Sequence, residues 1–153
     1  MSTEDPVPSP RTKVVRWVLA SLVGALVLIQ LIPVDRSNPP VEAEPAWDSA
    51  RTKELAQRAC LDCHGNETRW PWYSRVAPAS WLVAYDVHEG RREMNLSLPN
   101  PRHTHEAAEE LEEGEMPPKP YLLLHPEARL SADEKAELAR GLRATFGGGR
   151  ERD

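Results

Sequence analysis

Cys60, Cys63 and His64 combine the residue types and spacing that carry the most chemistry in this chain. Two thiols three positions apart can add to the two vinyl groups of one porphyrin. The adjacent histidine then lies beneath the iron and donates an imidazole nitrogen to it. Cys-x-x-Cys-His is the attachment signature of c-type haem, and these two cysteines are the only ones among 153 residues. Two other chemistries use such a pair. A thioredoxin-type disulfide normally opens the helix of a βαβ unit, and no alternating strand pattern accompanies this one. A structural zinc site wants four ligands. His103 and His105 could complete one, but Cys63 and His64 are chain neighbours whose side chains point in different directions.

An iron held by His64 has a second axial face, and Met116 is the expected occupant. Gly114 before it and Pro117-Pro118 after it make a stiff, extended loop, which suits a thioether held at fixed distance from iron. Met–His ligation stabilises Fe(II) and raises the potential. The other reading of Met116 is ordinary core filler. His88, His103, His105 and His125 are the alternative ligands, with His125 and His88 foremost. An iron without a sixth ligand would open gas binding or peroxide chemistry.

These groups need elements to position them, and the sequence predicts helices throughout. A first helix of the domain runs from an N-cap at Asp48 to about Ala59, with Leu55 and Ala59 on one face, and feeds directly into the cysteine motif. Trp70-Pro71-Trp72-Tyr73-Ser74 reads as a rigid aromatic turn. A second helix starts near Pro78 and runs to Gly90. Asn100-Pro101 breaks the chain. An acidic helix runs from about Thr104 to Glu113 and ends at Gly114. The last helix is announced by the capping box Ser131-Ala132-Asp133-Glu134, after which Leu138, Leu142 and Phe146 recur every four residues. No strand and no internal repeat is expected.

Ahead of this domain the chain has a different character. Residues 1–13 are short, polar and proline-rich, and residues 14–32 are apolar apart from Arg16, Ser21 and Gln30. That run reaches the span of a bilayer core, for which about 17–25 residues of helix suffice. Arg11, Lys13 and Arg16 on its N-terminal side place the N-terminus in the cytoplasm. A cleaved signal peptide would have a shorter apolar region and a small-residue cleavage site, and Ile32-Pro33-Val34-Asp35-Arg36 offers none. Residues 14–32 are therefore expected to be an uncleaved transmembrane anchor. Residues 33–46 read as a proline-rich tether, 47–146 as the domain and 147–153 as a frayed tail. Anchor or signal peptide, either reading exports residues 34–153, in keeping with haem attachment outside the bacterial cytoplasmic membrane.

The formal net charge is −5, which argues against nucleic acid and anionic lipid as partners. The acid is concentrated in Glu106, Glu109, Glu110, Glu112, Glu113 and Glu115. This run is either a solvated helix face or a docking patch for a basic redox partner with a salt-dependent on-rate.

The helix order resembles a small c-type cytochrome, an all-α domain around one haem. A closer resemblance lies in Cys60-x-x-Cys63-His64-x-Asn66-x-Thr68-x-Trp70-Pro71-Trp72-Tyr73-Ser74, Ala77-Pro78-x-Ser80-Trp81, Gly90-Arg91-Arg92, Asn95-x-Ser97 and Gly114-x-Met116-Pro117-Pro118. Together they resemble the small bacterial haem-binding domain family, with Gly65 standing where that pattern has serine. The family name implies a cofactor and no activity. On this resemblance Trp70, Trp72, Tyr73 and Trp81 are expected to wall the haem crevice, and Arg91 to pair with a propionate. The expected function is a membrane-anchored monohaem cytochrome carrying single electrons on the periplasmic side of the inner membrane. No nucleophile–base constellation points to catalysis. A haem sensor or ligand-binding module and a peroxidase-like enzyme are the alternatives.

Overall fold

The computed structural model describes residues 10–147 and is all-helical over that range, with no strand among the described residues. The first nine residues of the expected cytoplasmic segment and all but Gly147 of the expected tail lie outside it.

Helix α1 (Pro10–Ile29) has twenty residues, none of them buried. It is long and apolar enough to cross a membrane. It starts four residues earlier than the apolar run because proline fits a helix start, and it gives way to a turn at Gln30–Leu31. Residues 33–46 carry no helix, as their prolines require. They are laid along the domain. The backbone amides of Glu42 and Ala43 both donate to the carbonyl of Ser97, at 2.9 and 3.1 Å, and Asn66 Nδ2 donates to the carbonyl of Pro40 at 2.8 Å.

Helix α2 (Ala50–Ala59) is capped by Ser49, whose side chain accepts from the Thr52 amide. The cap thus falls one residue after the expected Asp48. A single turn, α3 (Leu61–His64), comes directly after it and carries the cysteine–histidine motif. The aromatic segment forms a 3₁₀ turn at Trp72–Arg75, and α4 (Ala79–Glu93) runs beyond Gly90 to Glu93. Helix α5 (Ala107–Glu113) begins three residues later than predicted, because His103 turns the chain with a positive φ of 52°.

Helix α6 (Lys119–Leu124) was not expected. Pro118 and Pro120 suit a helix start, and the Pro-Pro signal hid the turn behind it. A 3₁₀ turn at Pro126–Ala128 leads to α7 (Ala132–Phe146), whose Ser131/Glu134 capping box is fully formed.

The core forms around α7, which packs on α2 and on α5. Leu55, Ala56 and Ala59 of α2, Ala108 and Leu111 of α5, and Leu138, Ala139 and Leu142 of α7 form one buried cluster together with Leu130. Burying a leucine such as Leu55 or Leu138 contributes about 1.5–3 kcal/mol. The alanines let the helix axes approach. Gly141 goes further, since any Cβ there would overlap the side chain of Thr52 on α2. Trp47 and Phe146, from the first and last residues of the domain's chain, meet edge to face at 6.0 Å. This frame fixes α2, and α2 delivers α3 to the site.

Candidate functional site

A cavity of about 470 Å³ opens beside α3. That is within the range of about 300–1,000 Å³ typical of cofactor and ligand pockets. Its lining includes Cys60, Cys63 and His64 from the motif, Val83, Val87 and Met94 from α4 and its end, and Met116 and Pro117 from the loop after α5.

The His64 ring is oriented by backbone hydrogen bonding. Its Nδ1 lies 3.0 Å from the carbonyl of Met94. A carbonyl only accepts, so Nδ1 carries the proton and Nε2 is the nitrogen left for a metal. Such a partner fixes tautomer and ring angle, as is general for metal-bound histidines. Burial lowers the imidazole pKa, with the hydrogen bonds to the Met94 and Gly90 carbonyls opposing it, so the ring is held neutral and able to ligate.

Burial pushes both thiols up, Cys60 and Cys63 each to about 12. A redox dithiol has a lowered thiol pKa, about 7 in thioredoxin, and burial acts in the opposite direction here. It suits sulfur in an uncharged form. Nor do the described residues gather three or more His, Cys, Asp or Glu side chains that could hold a metal ion. His103 and His105 instead stack on each other at 6.5 Å and both approach Glu106.

Helix α3 can reach the cavity because α4 carries Gly90 at the crossing. A Cβ there would stand 2.7 Å from the Cys63 carbonyl oxygen. On the opposite wall, Gly114 ends α5 in the left-handed conformation, φ 79°, which glycine adopts at no steric cost. The Glu115 and Met116 amides then both donate to the carbonyl of Glu110 at 3.1 Å. That turn sets Met116 at the cavity edge, 39% exposed.

His125 also lines the cavity, but both its ring nitrogens are engaged. Nε2 lies 2.7 Å from the Tyr73 hydroxyl and Nδ1 3.3 Å from Glu127 Oε1. Its ring stacks on Tyr121 at 3.9 Å. The Tyr121 hydroxyl donates to Asp62 Oδ2 at 3.1 Å. Asp62 also receives a two-pronged contact from Arg69, at 3.2 and 2.9 Å. This chain of polar and aromatic contacts ties α6 to α3 across the cavity mouth. Sequence reasoning missed the roles of Asp62 and Tyr121, and read Arg69 as a surface arginine or propionate partner. The one available signal was Tyr121 and His125 at i, i+4 on one helical face.

Of the expected aromatic wall, Tyr73 lines the cavity. Trp70, Trp72 and Trp81 lie outside that lining. Trp70 donates through Nε1 to Asn38 at 3.0 Å, and Trp72 is 78% exposed. His88 is off the cavity as well, with Nε2 3.3 Å from the Asp35 carbonyl. Arg91 faces the segment that precedes the domain. It donates to the carbonyls of Gly65 and Ser37 and to the side chains of Asn38 and Thr68, each at 2.9 Å.

A sequence model of the haem-binding domain family matches residues 24–144. The chain belongs to that family. The structure places Cys60, Cys63, His64 and Met116 around one apolar cavity. No curated protein and no solved structure matches the chain. The residues present fit a haem: an apolar cleft of suitable size, one oriented neutral imidazole, and two sulfurs within a single turn of it.

Proposed function

We propose that this chain is a membrane-anchored monohaem c-type cytochrome that carries single electrons on the periplasmic side of the inner membrane. The carrying observation is the pinned imidazole of His64 on the short helix that holds Cys63 and is capped by Cys60, beside a cavity that Met116 also borders. Cys60 and Cys63 would hold the porphyrin as thioethers, His64 would bind iron through Nε2, and Met116 would take the sixth position. The bound haem supplies a one-electron couple.

The protein's part is rigidity and dryness. The Met94 carbonyl fixes the His64 ring, the turn at Gly114 fixes Met116, and Val83, Val87 and Leu111 exclude water. Little then has to move when the charge on iron changes. Helix α1 is the anchor, with Arg11, Lys13 and Arg16 holding its start in the cytoplasm. Glu109, Glu113 and Glu115 are exposed beside the Met116 loop and offer a basic redox partner an acidic surface near the cofactor.

The second reading, a haem sensor or a peroxidase-like enzyme with an open sixth site, draws on the exposure of Met116 and on the polar Tyr73–His125 pair at the cavity. One set of measurements on the purified holoprotein decides between them. The electron carrier requires a mass increment of one covalent haem, a weak far-red Fe–S band in the ferric state, and no ready binding of carbon monoxide by the ferrous state. Ready carbon monoxide binding moves the assignment to the sensor or enzyme. Haem that is lost on denaturation overturns the c-type assignment.

A further inference from the structure

Gln30 is the first residue after helix α1, and its side chain holds the haem domain by two bonds to one residue. Gln30 Oε1 accepts from the Ala77 amide at 2.8 Å, and Gln30 Nε2 donates to the Ala77 carbonyl at 3.2 Å. The next residues along add two contacts. Arg36 Nη1 donates to the Ser74 carbonyl at 3.2 Å, and His88 Nε2 approaches the Asp35 carbonyl at 3.3 Å. The end of the membrane helix is thus fastened to the Trp72–Arg75 turn and to α4.

That same region leaves large apolar side chains in the open. Trp72 is 78%, Val76 47% and Trp81 36% exposed, and none of the three lines the cavity. Exposed apolar groups clustered in one place mark an interaction surface. Arg75 lies in the same turn, exposed and without an ion pair among the described residues. Tryptophan is the residue most at home where hydrocarbon meets headgroup, and arginine pairs with phosphate.

Depth decides what covers this surface. Counted from Val14, where the apolar run begins after Arg11 and Lys13, α1 and Gln30 make seventeen residues, about 26 Å of helix, the short end of what crosses a hydrocarbon core. Gln30 therefore sits where the headgroups begin, and Ala77, bonded to it, sits at the same level. Trp81 is four residues farther along, about 6 Å of helix. The polar layer on one side of a bilayer is itself about 5–7 Å deep. Trp72, Val76 and Trp81 cannot leave that neighbourhood while Gln30 holds Ala77.

We propose that the haem domain rests on the bilayer instead of swinging from a tether, with Trp72, Val76 and Trp81 seated in the headgroup layer and Arg75 on lipid phosphate. The proposal depends on the reading of α1 as a membrane span, and its consequence is a cofactor cleft held at fixed height and orientation above the membrane. The test places the photo-crosslinker p-benzoylphenylalanine at Trp72, at Trp81, at Leu22 in the span and at Arg140 on the exposed side of α7. Full-length holoprotein is illuminated in vesicles of phosphatidylethanolamine and phosphatidylglycerol, and adducts are identified by mass.

Lipid adducts at 72, 81 and 22, with none at 140, are expected, and Gln30→Ala should cut the yield at 72 and 81 several-fold while leaving 22 unchanged. Lipid adducts at 22 alone overturn the resting domain and leave the anchor standing. Protein adducts in place of lipid at 72 and 81 assign the surface to a partner or a second copy and overturn the proposal. A lack of lipid adducts at 22 overturns the span itself.

Discussion

Gly90 of α4 lies so close to Cys63 of α3 that an added Cβ would stand 2.7 Å from the Cys63 carbonyl oxygen and 3.0 Å from its Cβ. The obstacle is backbone, so a side chain at this position cannot be accommodated by rotation. Gly90→Ala must push α4 off the cysteine turn, and overpacking of this kind costs about 1–3 kcal/mol. The expected result is a lower denaturant midpoint together with a lower yield of haem-loaded protein, because the same turn carries the cofactor residues. Gly24→Ala serves as the control, since nothing lies within 4 Å of a Cβ there. An unchanged midpoint for Gly90→Ala would show that the two helices are less tightly apposed than described.

Met116 and His125 border one cavity and differ in what already holds them. His125 spends both ring nitrogens on Tyr73 and Glu127, whereas the Met116 thioether has no such partner among the described residues. Met116→Ala should abolish the far-red band of the ferric protein and lower the potential, because a thioether favours Fe(II). His125→Ala should leave the band in place and weaken the closure of α6 over the cleft. The opposite pattern would make His125 the ligand. Spectra of the two variants, compared with the wild type, separate these outcomes.

The parts of this molecule set by local chemistry were readable in the sequence. The Ser131–Glu134 capping box, the four-residue apolar spacing of α7, the apolar run of α1 and the helix leading into Cys60 all depend on residues a few positions apart. What escaped depends on long-range geometry. Trp72 and Trp81 carry the signature of crevice residues, yet both lie outside the cavity lining, and Trp72 is 78% exposed. Arg91 looked like a propionate partner because arginine suits carboxylates. Its actual acceptors are carbonyls and side chains that converge from residues 37, 38, 65 and 68 only after folding. Helix α6 was hidden by the two prolines that introduce it.

Arg91 supplies the next prediction. Its guanidinium meets four acceptors from two chain segments, and hydrogen bonds from a charged donor contribute about 1.5–3 kcal/mol. Arg91→Ala should lower stability by at least that range, and Arg91→Lys should restore only part of it, since an ammonium cannot span the fork. Thermal unfolding measures the loss. The potential of the loaded protein should stay close to that of the wild type, because the arginine faces residues 37 and 38 and not the cavity. A large shift in potential with unchanged stability would return Arg91 to the cofactor.

Glu134 ties the start of α7 to α2, and its charge makes that link pH-dependent. Arg58 donates to Oε1 at 2.7 Å, the Ser131 amide donates to Oε2 at 2.9 Å, and Arg51 adds a contact at 3.1 Å. The Arg58 bond first, and the Ser131 amide after it, hold the Glu134 carboxyl down at about 2, against an ordinary value of 4.5. A carboxyl lowered in the folded state binds its proton more readily once unfolded. Its contribution to stability is therefore complete above the ordinary value and is lost as pH falls from about 4.5 toward about 2. Glu134→Gln keeps the shape of the cap and removes the charge. It should be less stable than the wild type near neutral pH, and the gap should close as pH descends through that window. Denaturant midpoints for both proteins, measured from about pH 7 to about pH 3, track the gap directly. If it stayed constant with pH, the carboxylate would be acting through shape alone, and the link between α2 and α7 would owe nothing to its charge.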